Sequence, residues 1–83
     1  MYRANEQMDR LVVQIAQSLV DRPQDVLVRT IEGANTMVLE LRVAKEDVGK
    51  VIGKQGKTAH AMRTLIGAVS SKINKRAVLE IIE

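Results

Sequence analysis

The sequence predicts an α+β domain in which three helices cover one face of a three-stranded mixed sheet. Three observations predict it: a helical apolar period near the N-terminus, two β-type segments joined by turn residues, and a glycine loop between two further helical patterns. The resulting order is α-β-β-α-α-β. At 83 residues, 46% of them hydrophobic, the chain has the size and apolar content of one domain, residues 1–83.

An amphipathic helix is predicted over residues 5–20. Its apolar positions recur every three or four residues, at Met8, Leu11, Val12, Ile15, Ala16 and Leu19. Asn5 is the predicted N-cap, and Asp21-Arg22-Pro23 ends the pattern.

The next two segments predict strands that pair as a hairpin. Residues 26–31 are short and β-branched, and Gly33-Ala34-Asn35 supplies turn residues. Residues 36–43 alternate, with Met37, Leu39, Leu41 and Val43 on one face. A wider connection between non-adjacent strands is the alternative.

Two helices and a final strand are predicted next. Residues 44–51 form a short helix whose acids, Glu46 and Asp47, suit its positive N-terminal end. The helix after the glycine loop has one apolar face, made of Ala59, Met62, Ile66, Val69 and Ile73, with Leu65 beside it. Residues 77–82 predict a largely buried strand. Because two helices separate it from the preceding strand, this connection crosses the sheet, which favours mixed pairing.

The loop Gly53-Lys54-Gln55-Gly56 is the most informative segment. Glycine lets the backbone turn sharply and lets a foreign chain approach closely. The first N–H groups of the following helix have no internal partner and attract phosphate. Residues 48–79 hold seven basic and no acidic side chains, in a chain of net charge +3. A solvated lysine-rich face would explain the charge alone. The loop favours a nucleic-acid backbone as the partner.

The run Val51-Ile52-Gly53-Lys54-Gln55-Gly56-Lys57, with a helix on each side and the α-β-β-α-α-β order, resembles the bacterial, type II KH domain. Within that group it resembles the small cytoplasmic RNA-binding proteins that consist of a single KH domain, the KhpA type. The resemblance covers nearly the whole chain. It implies that the loop clamps the backbone of about four single-stranded nucleotides, in post-transcriptional regulation. It also implies a homodimer, or pairing with a larger KH-domain protein.

The expected nucleic-acid-binding residues form one segment: Lys50, Val51, Ile52, Gly53, Lys54, Gln55, Gly56 and Lys57. By the resemblance, Gly53 and Gly56 shape the turn. Lys54 and Gln55 face phosphate, and Ile52 floors a groove for the bases.

The resemblance also places the second strand, residues 36–43, as the opposite wall of the groove. Ala59 stands where the motif usually has a bulky aliphatic residue, so the groove is shallower or the helices approach more closely. The only aromatic residue is Tyr2, so base stacking on aromatic side chains is not expected.

Two other functions remain open at this stage. The apolar residues Leu65, Met62, Ile66, Val69 and Ile73 span more than a narrow stripe, which favours a protein-association module. Single-stranded DNA is a further target, because a loop that grips the backbone does not reveal a 2′-hydroxyl preference.

Enzymatic equipment is not expected. His60 is the only histidine, and Ser70-Ser71 has no partner histidine. Gly56-Lys57-Thr58 resembles the end of a P-loop, but the earlier glycine of that motif is replaced by Val51. No cofactor, metal or small-molecule substrate is expected. The chain lacks cysteine, a signal peptide and a membrane-length apolar run, so a cytoplasmic location without membrane contact is expected.

Overall fold

The computed structural model describes residues 4–83, which form a three-stranded sheet with three helices packed on one face. The elements are α1 (Ala4–Leu19), β1 (Leu27–Glu32), β2 (Thr36–Arg42), α2 (Val48–Ile52), α3 (Lys57–Ile73) and β3 (Arg76–Ile81). Short 3₁₀ turns lie at Pro23–Asp25, Lys45–Asp47 and Lys54–Gly56. The predicted fold class is confirmed. Tyr2 lies outside the described residues, and α1 already includes Asn5, so the helix begins before the predicted N-cap.

The sheet has the order β1-β2-β3 and is mixed, as expected. Strands β1 and β2 form the predicted antiparallel hairpin, with Val28 opposite Leu41. Strands β2 and β3 are parallel, with Leu39 opposite Leu79. Strand β2 is therefore central, and β1 and β3 are the two edges.

The core lies between the sheet and the helices. The three inward positions of β2, Met37, Leu39 and Leu41, are almost completely buried. Each helix adds one apolar stripe, and the buried helical residues are Met8, Val12, Ala16, Val51, Ala59, Met62 and Ile66. The two periodicities seen in the sequence thus correspond to the two sides of one core.

Strand β3 corrects the prediction of a largely buried strand. Only Leu79 is buried in it, and Val78 is 37% exposed. Among residues 4–83 the helices cover only one face of the sheet, so alternate side chains of β3 face the uncovered side.

The short helix predicted over residues 44–51 also needs correction. A 3₁₀ turn, Lys45–Asp47, comes first, and α2 occupies only Val48–Ile52. Asp47, the last residue of this turn, has φ −99° and ψ −5°, outside ideal helical geometry. Its side chain makes no helix cap and is buried instead.

Candidate nucleic-acid interface

The glycine loop is a tight exposed turn between α2 and α3. Gly53, Gln55 and Gly56 all have positive φ, at 79°, 57° and 74°. The N–H of Gly53 donates a hydrogen bond to the Gly49 carbonyl at 2.9 Å, which ends α2. The N–H of Gly56 bonds the Gly53 carbonyl at 3.1 Å. Lys54 and Gln55, the two central residues, are exposed at the tip of the turn.

Helix α3 begins directly after the loop and presents an uncapped N-terminus. Gly56 is the N-cap, none of the described side chains caps the first N–H groups, and the first turn contains no acid. A helix of this length carries a partial positive charge at that end. Lys54 and Lys57 are exposed beside it. Among the described side chains, neither forms an ion pair.

Lys50 is placed differently from these two lysines. Its ammonium lies 3.0 Å from the Asp21 carboxylate and 3.4 Å from that of Asp47. These partners, Asp21 first, raise the pKa of Lys50 above its ordinary value. The sequence shows no acid between the three lysines, but the fold brings two to Lys50. Its charge is therefore compensated within the protein.

The expectation that Val51 lines the groove needs correction for its side chain. That side chain has no exposed surface and lies in the core. Val48 and Ile52, one turn apart on the same helix, are partly exposed. The side chain of Val51 is therefore closed to a ligand, whereas Val48 and Ile52 keep exposed surface.

Ala59, in the first turn of α3, is 3% exposed. Its side chain therefore offers almost no surface to a ligand.

Of the segment expected as the far wall, residues 36–43, only the end, Arg42 and Val43, lines an open cavity, together with Ile82 and Glu83 after β3. Strand β2 lies in the middle of the sheet, and its helix-side residues are buried under the helices. Beside the start of α2, the structure has an open cavity of about 680 Å³. Its lining residues are Arg42, Val43, Lys45, Val48, Ile82 and Glu83. It joins an apolar floor to charged groups at the ends of β2 and β3.

Helix α3 contacts the outer edge of β3 through two side chains. The Ser70 hydroxyl donates to the Lys75 carbonyl and accepts the Ala77 N–H at 3.1 Å. The Arg63 guanidinium donates twice to the Leu79 carbonyl, at 3.3 and 3.4 Å. Because the later residue of α3 contacts the earlier part of β3, the start of α3 lies toward the end of β3.

The end of β3 offers backbone groups on the loop side of the molecule. The Ile82 N–H bonds the Leu41 carbonyl of β2, so even-numbered residues direct their backbone groups inward. Odd-numbered residues direct theirs outward, as the contacts of Ala77 and Leu79 show. By this alternation, the N–H and C=O of Ile81 face outward from the edge of the sheet.

Several of these residues were not singled out in the sequence for this interface. Ser70 lacked a catalytic partner, and its structural role depends on where β3 begins. Arg63 counted only as one charge of the basic segment. The apolar spacing of Val48 and Ile52 was a signal in the sequence, but strand order, which places Ile82 across from them, was not.

Comparison with known proteins agrees with this architecture. The sequence model of the KhpA/KhpB KH domain matches residues 9–81. The chain belongs to the KhpA/KhpB KH-domain family. Members include the RNA-binding protein KhpA of Clostridium perfringens, 53% identical over 75 residues, and that of Clostridium acetobutylicum, 55% identical over 75 residues. Each alignment covers 90% of this chain and 100% of the relative. KhpA of Chlamydia pneumoniae is 46% identical over 76 residues, covering 92% of this chain and 97% of the relative.

A solved structure shares the fold of this KhpA/KhpB family member. A crystal structure of Aquifex aeolicus Era superposes with a TM-score of 0.64 over 98% of this chain, at 18% identity. The chain spans 31% of the length of that protein, so the match shows the fold of one part of it. Within residues 4–83, none of the helices combines the length and the apolar character that a membrane span needs. In the same residues, no group of three or more His, Cys, Asp or Glu side chains is placed to hold a metal ion.

Proposed function

We propose that this chain binds single-stranded RNA, with Lys54, Gln55 and Lys57 contacting phosphates around the Gly53–Gly56 turn. The observation that carries the proposal is the exposed loop before an uncapped helix N-terminus, flanked by lysines without carboxylate partners in the described part of the chain. Backbone N–H groups and ammonium groups there would meet the same anionic chain. The description of the relatives as RNA-binding proteins supports this target.

The bases would lie along the groove between α2 and the end of β3. Val48 and Ile52 offer an aliphatic floor, and Ile82 lies across from Val48. The outward N–H and C=O of Ile81 form a donor and acceptor pair suited to a base edge. This mode needs no aromatic side chain and suits unstacked single-stranded bases.

The double variant Lys54→Asp/Gln55→Asp tests the proposed contact between the loop and the phosphates. It places two carboxylates where the phosphates would lie, and we expect at least a roughly tenfold loss of affinity for a single-stranded RNA 12-mer, about 1.4 kcal/mol. Fluorescence anisotropy would measure it. The control Arg10→Glu/Gln14→Glu makes the same change in net charge on exposed positions of α1. Equal losses in both variants would mean that net charge, and not the loop, determines binding.

Salt dependence gives a second test of the phosphate contacts. Two or three contacts predict a slope of log affinity against log salt of about −1.4 to −2.1 for a single strand. Lys54→Gln removes one cation and should reduce the slope by about 0.7. A slope unchanged by Lys54→Gln would contradict a direct contact between Lys54 and phosphate.

The proposal includes a bacterial cytoplasmic setting and a part in post-transcriptional regulation, both supported by the family resemblance. Single-stranded DNA is the alternative target. Because the loop would grip the backbone common to both, titration with DNA of the same base sequence decides between them. Equal affinity for the two strands would show that the 2′-hydroxyl does not contribute to binding.

Protein association is a second candidate, favoured by one observation. Leu65 is 49% exposed on α3, and Val69 follows one turn later on the same face. Val69 lines an open cavity of about 590 Å³ between α1 and α3, together with Leu11 and Ile73. An exposed apolar position on α3 next to a cleft that joins apolar and polar side chains suits a second KH domain, either a second copy or a larger relative.

The association proposal predicts a dimer that depends on Leu65. We expect light scattering at micromolar concentration to give twice the monomer mass, and Leu65→Glu to return it to the monomer value. Ser71→Glu is the matched control, because it adds the same charge to α3 at an exposed position on another face. A wild-type protein that stays monomeric would rule out the homodimer.

A further inference from the structure

Asp47 is a buried carboxylate that the proposed RNA grip does not use. Its side chain is 1% exposed. One oxygen accepts the Asp21 N–H at 3.3 Å and the Lys50 ammonium at 3.4 Å. The other accepts the Arg22 N–H at 3.0 Å. The carboxylate therefore joins the segment after α1 to the residue just before α2.

A charged group is buried only where its partners replace water. Here two of the three donors are backbone groups of a connecting segment, 25 and 26 residues away in sequence. Around them, the Arg22 guanidinium lies 3.0 Å from the Asp25 carboxylate and 3.6 Å from that of Glu46. Both sides of the junction are thus tied together at several atoms.

Helix α2 depends on such tertiary contacts because it has only five residues. A helix this short does not persist by itself in water. Its two anchors are Asp47, in this junction, and Val51, in the core, and they stand four residues apart on the same side of the turn. Gly53 follows one residue after α2 ends, so any tilt of α2 moves the loop.

We propose that Asp47 is the positioning residue that holds α2, and with it the Gly53–Gly56 loop, in the orientation that grips RNA. The expected effect of Asp47 on RNA binding rests on the proposed function. Its expected effect on the order of the loop does not depend on any ligand. Lys50 belongs to this junction in the proposal, and not to the phosphate contacts.

Asp47→Asn tests the role with little change in shape. The amide keeps one acceptor oxygen and turns the other into a donor, which leaves the N–H of Asp21 or Arg22 without a partner. The comparison is Met8→Val or Met8→Ala, whichever lowers the melting temperature by the same amount. Met8 lies in the core beside Val69 and Ile73, at the end of α3 away from the loop.

Two measurements are made well below the melting temperature. Amide hydrogen exchange, followed by NMR without RNA, should accelerate about tenfold or more for residues 53–57 in Asp47→Asn only. Affinity for a single-stranded RNA 12-mer should fall about fivefold to tenfold in Asp47→Asn and less than about twofold in the Met8 variant. Equal exchange and equal affinity in the two variants would overturn the inference.

The two measurements, loop exchange and RNA affinity, separate this inference from the proposed function. If the wild type does not bind RNA, the proposed function fails, and loop exchange still decides the role of Asp47. If Asp47→Asn does not fold, Lys50→Met replaces it, because it removes one donor and keeps both backbone contacts. Loop exchange in Lys50→Met should rise by a smaller factor, and an unchanged rate would count against the inference.

Discussion

Gly53 and Gly56 have different reasons to be glycine. A Cβ on Gly53 would lie 2.2 Å from Thr58 Oγ1, 2.6 Å from Thr58 Cβ and 2.8 Å from the Thr58 backbone nitrogen. Its φ of 79° and ψ of 170° also belong to a region that only glycine adopts easily. A Cβ on Gly56 would meet nothing within 4 Å, so only its φ of 74° favours glycine there. Gly53 is therefore required both because a Cβ would have no room and because of its backbone conformation, whereas Gly56 is required by its backbone conformation alone.

These differences predict unequal costs of substitution. Gly53→Ala should lower the free energy of unfolding by about 2–4 kcal/mol, through strain and overlap together. Gly56→Ala should cost only about 1 kcal/mol, because the left-handed conformation is the sole penalty. Gly67→Ala is the control: the site is exposed, inside α3 and open to a Cβ, so it should stabilise by about 0.5–1 kcal/mol. Urea unfolding measures all three, and equal costs at Gly53 and Gly56 would contradict the crowding at Thr58.

At the residue scale, the sequence predicted the turn better than its surroundings. Two glycines three apart already indicated a sharp bend, since conformational freedom is a property of the residue itself. The fate of Lys50 was not visible, because its partner Asp21 lies 29 positions earlier. Asp47 looked like a charge at a helix start, and its burial depends on a segment that only the fold brings to it.

Among the elements, the junction of α3 with β3 depends on one hydroxyl. Ser70 bonds the carbonyl of Lys75 and the N–H of Ala77 across the turn that leads into the strand. Ser70→Ala leaves both partly buried backbone groups without this partner and should cost about 1–3 kcal/mol. Ser71→Ala, at the neighbouring exposed position, should change stability by less than about 0.5 kcal/mol. Thermal unfolding of the two variants tests this prediction. A Ser70→Ala variant as stable as the wild type would show that water replaces the hydroxyl.

Elements with a clear period were predictable, and those defined by their neighbours were not. The apolar spacing of α1 and α3 and the alternation of β2 lie in the local sequence, so the predicted elements match the structure closely. Strand β3 has an apolar composition, yet it lies at an edge because the chain crosses from β2 to pair parallel beside it. The cavity beside α2 is lined by Arg42 and Val43, from the expected segment, and also by Ile82 and Glu83, whose position depends on strand order.

At the scale of the whole molecule, buried charge and fold stability are linked. Helices, sheet and the α1–α2 junction share one core, so a small domain of this kind should unfold in a single transition. Any pH-dependent contact in the junction is then reported by global stability. Asp47 is the buried ionisable group in the described part of the chain, which makes its titration the one to follow.

Acid should remove the contribution of Asp47 to stability. Burial alone would raise the pKa of its carboxyl, but the N–H groups of Asp21 and Arg22 and the Lys50 ammonium outweigh burial, and the pKa is lowered from 3.8. A lowered folded pKa means that the stabilisation is complete well above pH 3.8 and is lost as pH falls through the folded value. The urea midpoint of the wild type should therefore exceed that of Asp47→Asn at neutral pH, and the gap should close in acid, where the protonated carboxyl resembles the amide.

Glu46→Gln is the control, at an exposed partner of Arg22, and its urea midpoint should differ little from that of the wild type at every pH. A gap between wild type and Asp47→Asn that persists undiminished well below pH 3.8 would mean that the ionised carboxylate is not what holds the junction.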